Sequence, residues 1–250
     1  MESCVNEILQ AGIIQRFFCS YFEPETTTQH EMGFLDDPPR PLLKRILYDG
    51  IRSMLRVFIS VYFRARIHGI ENFPGEGGMI ICANHVSNLD PIVIGCAVPR
   101  RTNFLAKISL IKTPGLGWLI DKLDAIPINR EAGGASGMKE TLRRLKRNES
   151  VLIFPEGTRS PDGTLQPVQS GVCALIKRVK SPVIPVAICG TFEAWPRKGW
   201  FPIPCRVEIV AGEPISNDDS SSLETEELVQ LLQSRIAECY DQASRLRSQK

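Results

Sequence analysis

The stretch MIICANHVSNLDP, Met79 to Pro91, carries the reading of the fold. Its first five residues, Met79 to Ala83, are uncharged and apolar and follow the turn-forming run Pro74-Gly75-Glu76-Gly77-Gly78. A short apolar run entered from such a turn predicts a buried strand. His85 then falls at the strand's carboxyl end. Asp90 precedes Pro91 and the apolar run IVIGCAV, so it reads as the N-cap of a helix with proline at its first position.

This places a titratable base beside a carboxylate. An imidazole titrates near pH ~6.5 when unperturbed, and a neighbouring carboxylate fixes its tautomer and stabilises the imidazolium formed when it accepts a proton. The sequence holds no G-x-S-x-G elbow and no cysteine-centred motif. The pair therefore fits activation of a substrate hydroxyl better than activation of an enzyme nucleophile. On spacing alone the alternative stays open that His85 is a core histidine and Asp90 merely a cap.

Working outward, Val151 to Phe154 reads as a second strand, and Phe154-Pro155-Glu156-Gly157-Thr158-Arg159-Ser160 again puts polar groups at a strand's carboxyl end. Ligands of open α/β sheets bind at that edge. Arg159 offers a planar fork of donors suited to phosphate, Gly157 allows close backbone approach, and Thr158 and Ser160 add hydroxyls. An ordinary turn with a solvated arginine is the bland alternative. Between the two runs lies a basic helix, Met138 to Arg147, whose charge faces water or docks an acidic carrier protein or a headgroup surface. A further helix spans Gly171 to Val179. This strand–helix alternation predicts an α/β fold with a mixed, largely parallel central sheet flanked by helices. Leu228, Leu231, Leu232, Ile236 and Tyr240 trace one face of a C-terminal helix. The organisation expected is a helical segment over 1–64 with a linker at 23–41, a catalytic domain over 65–216 and a packed helix over 217–250.

With both polar runs in hand, the chain resembles the glycerolipid acyltransferase family, of the 1-acylglycerol-3-phosphate acyltransferase type. The resemblance covers roughly residues 65 to 212, through four blocks in order: His85 with Asp90, the run Asp124 to Arg130, Glu156 to Arg159, and Val183 to Ile188. It implies that His85 deprotonates the free hydroxyl of a lysophospholipid while Asp90 orients it, and that the oxygen attacks an acyl thioester. It further implies that Arg130 and Arg159 hold the phosphate with Lys107, that Glu156 and Gly157 help place the glycerol beside Thr158, and that Pro185 shapes the acceptor or acyl site. The co-substrate would be acyl-CoA or an acyl carrier protein thioester, with no cofactor. Ser109, Asn129 and Pro127 depart from the family's usual residues and leave the preferred lysolipid open.

Composition agrees with a globular enzyme: of 250 residues 43% are hydrophobic, and the net charge of +2 gives no call for a nucleic-acid partner. Four of eight cysteines, Cys82, Cys96, Cys173 and Cys189, sit in apolar runs without a C-x-x-C pair, which points to buried thiols in a reducing compartment. A zinc site from His30, His68 and His85 lacks recognisable spacing. No stretch reaches the ~20 apolar residues needed to span a bilayer, and the start lacks a signal-peptide pattern. Leu42 to Phe63 reads instead as a basic amphipathic segment, with Lys44, Arg45, Arg52 and Arg56 among apolar residues. Such a segment lies in a membrane interface or packs on the core with snorkelling basic chains. The resemblance favours the interface, on the cytoplasmic face of a membrane, with membrane lipids as partners. The region Val5 to Phe22 reads as a helix that either anchors at the surface or packs on the rest. A non-catalytic lipid-phosphate binding protein is the competing class of function, and glycerol-3-phosphate or another lysolipid is the competing acceptor.

Overall fold

The computed structural model describes residues 42–107, 125–128, 135–196, 199 and 201–249. The expectations for Val5 to Phe22, the linker at 23–41, Ser109, Asn129 and Arg130 lie outside these residues. Helix α1 (Leu42–Tyr62) leads into strand β1 (Arg66–His68), then β2 (Met79–Ala83), α2 (Asp90–Ala97), β3 (Thr102–Lys107) and β4 (Ile126–Ile128). There follow α3 (Ala135–Lys146), β5 (Ser150–Ile153), α4 (Ser170–Ile176), β6 (Val183–Cys189), α5 (Thr191–Ala194), β7 (Glu208–Ala211), α6 (Asn217–Ser222) and α7 (Thr225–Ser248).

The sheet is seven-stranded in the order β1-β7-β6-β2-β5-β3-β4, and every pairing is parallel except β6 with β7. β2, β5 and β6 are buried at every position. That burial explains why they read as continuous apolar runs rather than alternating ones. The alternation is sorted in space instead. Met79, Ile81, Ala83, Leu152, Ile184 and Ile188 face one core with Val93 and Ile94 of α2 and Tyr48, Ile59 and Phe63 around α1. Ile80, Cys82, Val151, Ile153 and Val183 face the other, with Leu145, Cys173, Ile176, Leu228, Leu232 and Ile236. Helices thus cover both faces, the architecture a buried parallel sheet requires.

β2 is central, between β5 and β6, neither of which adjoins it in sequence. The parallel strands β2, β3, β4, β5 and β6 deliver their carboxyl ends to one sheet edge, and the crevice there is where an open α/β sheet binds ligands. On α7 the buried stripe is Leu228, Leu232, Ile236, Cys239 and Ala243, whereas Leu231 and Tyr240 are only partly covered. The helix starts in a capping box between Glu224 and Glu227, which satisfies end N–H groups that otherwise lack partners.

Two local expectations are corrected. Asp90 does not cap α2; the N-cap is Leu89, whose side chain makes no capping hydrogen bond. The Asp90 carboxylate turns back to the preceding loop, where stronger claims on it exist. Of the basic residues of α1, the described Arg52 and Arg56 are likewise not turned outward. Arg52 is buried and bonds the carbonyls of Gly95, Val98 and Arg100, while Arg56 bonds those of Cys96 and Val98. Those of Gly95, Cys96 and Val98 are carbonyls left without intrahelical partners at the end of α2, and a cation there also meets the negative end of the helix dipole. The outward side of α1 is apolar: Ile46, Leu47, Met54, Val57, Phe58 and Val61 are all exposed. Among the described residues no helix is long and apolar enough to cross a membrane.

Candidate active site

The loop after β2 is built from the backbone outward. Fully buried Asn84 continues the strand by side chain, donating to the Ile188 carbonyl at 3.1 Å and accepting from the Ile188 N–H at 2.8 Å. The next residue, His85, is thereby held at the end of β2 against β6. Its Nδ1 meets Asp90 Oδ2 at 2.8 Å. The same oxygen accepts the N–H groups of Val86 and Ser87, each at 2.7 Å, while Oδ1 accepts the Thr191 hydroxyl at 2.6 Å. Asp90 is fully buried. Both carboxylate oxygens are therefore occupied, which fixes the group and with it the ring it orients. With Nδ1 engaged, Nε2 is the base position left to a substrate; the His85 side chain is 15% exposed, enough for contact at one edge.

The turn after β5 closes over the same histidine. Phe154 stacks on the imidazole, with ring centroids 3.9 Å apart and planes 16° from parallel, and the Ser160 N–H donates to the His85 carbonyl at 2.8 Å. β5 itself is Ser150–Ile153, one residue earlier than the sequence indicated, because Phe154 leaves the ladder to cover the ring. Gly157 has φ 75°, a left-handed conformation that disfavours other residues there. Thr158 is exposed, Arg159 half-buried and Ser160 buried, where its hydroxyl bonds Asp162 at 2.9 Å.

Glu156 is the second carboxyl of the site. It is 7% exposed, and among the described residues its Oε2 has no hydrogen-bond partner. Burial pushes its carboxyl up to about 7, against the pull of the Gln166 and His85 N–H groups, and the charge of Asp90 pushes the same way. A buried polar atom without a partner costs about 1–3 kcal/mol, so this oxygen is open to a hydrogen bond from water or from a group entering the site.

The structure thus brings His85, Asp90, Glu156, Gly157, Thr158 and Arg159 to one sheet edge. Lys107 ends β3 in register with Ile128, at the same edge; its side chain lies outside the described residues, as does Arg130. Pro185 is elsewhere and is corrected. It sits within β6 opposite Cys82, its carbonyl accepts from Gly212 at 2.8 Å, and a Cβ on Gly212 would meet both its ring and Cys239 of α7. Its missing N–H faces the point where β7 has ended, which is how a central strand tolerates proline. That is a sheet position under α7, not a wall of the crevice.

Sequence reasoning missed Thr191 and Asn84, whose partners lie 101 and 104 positions away. The one signal was positional: Gly190-Thr191 follows β6, which also ends at this edge. Gly190 has φ 105°, and a Cβ there would run into the Arg206 carbonyl oxygen. Cys82, Cys96, Cys173, Cys189 and Cys239 are buried thiols. Among the described residues no three ligand-type side chains gather as a metal site; His68 instead pairs with buried Glu208 at 2.8 Å.

A base held by a saturated carboxylate, with an unfilled carboxyl and an arginine turn beside it, is a set suited to moving a proton from a hydroxyl. A family model described as Acyltransferase matches residues 64–189, the span that contains His85, Asp90 and Glu156 to Arg159. The chain belongs to that acyltransferase family. This acyltransferase is 27% identical over 207 residues to the 1-acyl-sn-glycerol-3-phosphate acyltransferase of Bacillus subtilis, covering 80% of its own length and 100% of the other. It is 37% identical over 146 residues to the protein of that name from Limnanthes alba, covering 56% of its own length and 51% of the other. It therefore spans the whole Bacillus relative but about half the length of the plant one. The crystal structure of the 1-acyl-sn-glycerophosphate (LPA) acyltransferase of Thermotoga maritima superposes with a TM-score of 0.69 at 26% identity, over 83% of this chain and 82% of that one.

Proposed function

We propose that the acyltransferase moves an acyl chain from a thioester, acyl-CoA or acyl carrier protein, to the free hydroxyl of 1-acylglycerol-3-phosphate, giving phosphatidic acid. The observation that carries this reading is the 2.8 Å contact of His85 Nδ1 with a buried, fully bonded Asp90. The names of the relatives support the acceptor.

His85 Nε2 takes the proton of the acceptor hydroxyl as its oxygen attacks the thioester carbonyl, and Asp90 stabilises the imidazolium that forms. Collapse of the tetrahedral adduct breaks the C–S bond, and the thiolate leaves with the proton returned from His85. No covalent acyl-enzyme is involved. Arg159 binds the acceptor phosphate with Arg130 and Lys107, since a guanidinium fork suits phosphate oxygens. Glu156 uses its free oxygen on the glycerol, while Gly157 and Thr158 line its approach. The protein works as a peripheral or monotopic partner of a membrane, on its cytoplasmic face, where the acceptor resides.

Labelled 1-oleoyl-lysophosphatidate incubated with oleoyl-CoA or oleoyl-acyl carrier protein, with glycerol-3-phosphate and lysophosphatidylcholine as competing acceptors, tests this by product analysis. Phosphatidic acid as the main product upholds the reading. Exclusive acylation of another acceptor overturns the substrate, and binding of lysophosphatidate without product from either donor overturns the chemistry.

A further inference from the structure

The segment between α5 and β7 presents a second apolar feature that the chemistry does not use. Phe201 is 75% exposed and Ile203 56% exposed. Their exposure is built rather than loose. The Ile203 N–H donates to the Ala194 carbonyl at 2.7 Å, the Trp195 indole donates to Gly199 at 2.9 Å, and the Gly199 N–H donates to Pro196 at 2.8 Å. The Tyr62 hydroxyl at the end of α1 donates to the Pro202 carbonyl at 3.1 Å.

That last bond joins the loop to the exposed side of α1. Phe58 stacks on Tyr62 with centroids 5.0 Å apart, and Met54, Val57, Phe58 and Val61 recur at helical spacing along one outward stripe. The Tyr62 bond thus sets the loop beside the end of that stripe, although the two elements are far apart in sequence. We propose that Phe201 to Pro204, at the described end of this loop, form a second bilayer contact, which with the outward stripe of α1 seats the mouth of the active site at the lipid interface.

Three features favour lipid over a protein partner. Pro202 and Pro204 have no N–H and that of Ile203 is internally bonded, so this part of the loop brings few unpaired donors into an apolar phase. Its sequence, WPRKGWFPIP, mixes Trp195, Trp200 and Phe201 with Arg197 and Lys198, the composition of interfacial segments. Exposed Arg64 and Arg66 lie where α1 and β1 meet the loop's end, since Arg66 N–H donates to Val207 and Val207 N–H to Phe63; cations at the rim suit anionic headgroups.

The loop also starts at the site. The Ser87 hydroxyl donates to the Trp195 carbonyl at 3.1 Å, and Thr191, four residues earlier, holds Asp90. An anchor fastened there fixes the height of His85 relative to the headgroups, where a membrane-resident acceptor offers its hydroxyl. This inference rests on the proposed lysolipid acceptor for its purpose, but its test does not require turnover.

Co-sedimentation of the full chain with vesicles of phosphatidylcholine containing one third phosphatidylglycerol, and with pure phosphatidylcholine vesicles, measures the contact. The expected result is wild-type binding that is stronger with the anionic lipid, and a loss of at least tenfold in affinity for the double variant Phe201→Asp/Ile203→Asp. A milder Phe201→Ala/Ile203→Ala pair should lose less, with circular dichroism unchanged in both. Turnover on a short-chain, monomerically dissolved lysophosphatidate should stay at the wild-type level in both variants. Vesicle binding unchanged in both variants would overturn the proposal. So would a wild-type dimer that becomes monomeric in the variants while vesicle binding persists, because the surface would then join two copies of the chain. Failure of acyl transfer with vesicle binding lost as expected would count against the proposed substrate and leave the anchor standing.

Discussion

The loop after β2 and the turn after β5 each carry one buried carboxyl, and the two are treated in opposite ways. Asp90 is saturated: His85, Val86, Ser87 and Thr191 all donate to it. Glu156 keeps one oxygen without a partner and has its carboxyl pushed up to about 7 by burial. A saturated carboxylate has nothing left for a ligand, so its work is to hold the histidine. An unsaturated one close to neutrality is costly without a partner, and a group that bonds to it offsets that cost. The difference separates orienting from binding within one crevice.

The most forceful way to break this comparison is Asp90→Ala. It leaves two buried backbone N–H groups and the Thr191 hydroxyl without their acceptor, which should cost on the order of 3 kcal/mol or more in urea unfolding. Turnover should fall about 10³–10⁴-fold with the loss of the orienting partner. Removal of only the second-oxygen contact is gentler. Thr191→Val should lower kcat about tenfold, equivalent to roughly 1.4 kcal/mol, with little change in KM, and Thr191→Ser should restore it. If Val and Ser behave alike, Thr191 fills space and Asp90 does not need it.

Glu156→Gln gives the smallest effect on stability and the cleanest sign. The carboxyl is raised from its usual value of 4.5 to about 7 in the folded protein. Between those values the native state binds more protons than the unfolded chain, so stability falls as pH rises through that window and is flat outside it. The Gln variant, which cannot ionise, should lose this slope in thermal melts compared across pH 4.5 to 7, while its KM for lysophosphatidate rises about tenfold. A persisting slope would assign the ionisation to another group.

Much of this site was legible in the sequence because its blocks are local. Met79 to Ala83 is uncharged between a glycine turn and a histidine, and the strand occupies those five residues. The five-residue interval from His85 to Asp90 could be seen to juxtapose the two, although the reason was misread as helix capping. What stayed hidden depended on pairings across the chain. Thr191 and Asn84 act through β6, and no local pattern reports which strand lies beside β2. Periodicity gave α1 an amphipathic character but not its orientation, because Arg52 and Arg56 find better partners in the carbonyls at the end of α2 than in water. Pro185 shows the converse: its block was read correctly as a strand, yet its side chain faces α7 rather than the crevice.

The measurement that bears most directly on the account is acceptor-dependent release of free thiol from oleoyl-CoA, and from the acyl carrier protein thioester, by wild type and His85→Ala at equal circular dichroism. The account predicts thiol release only when lysophosphatidate is present, and a fall of about 10²–10⁴-fold when the general base is removed. Undiminished release by the variant, or a stoichiometric burst of thiol without acceptor, would contradict it, the first by removing His85 from the chemistry and the second by revealing a covalent acyl-enzyme.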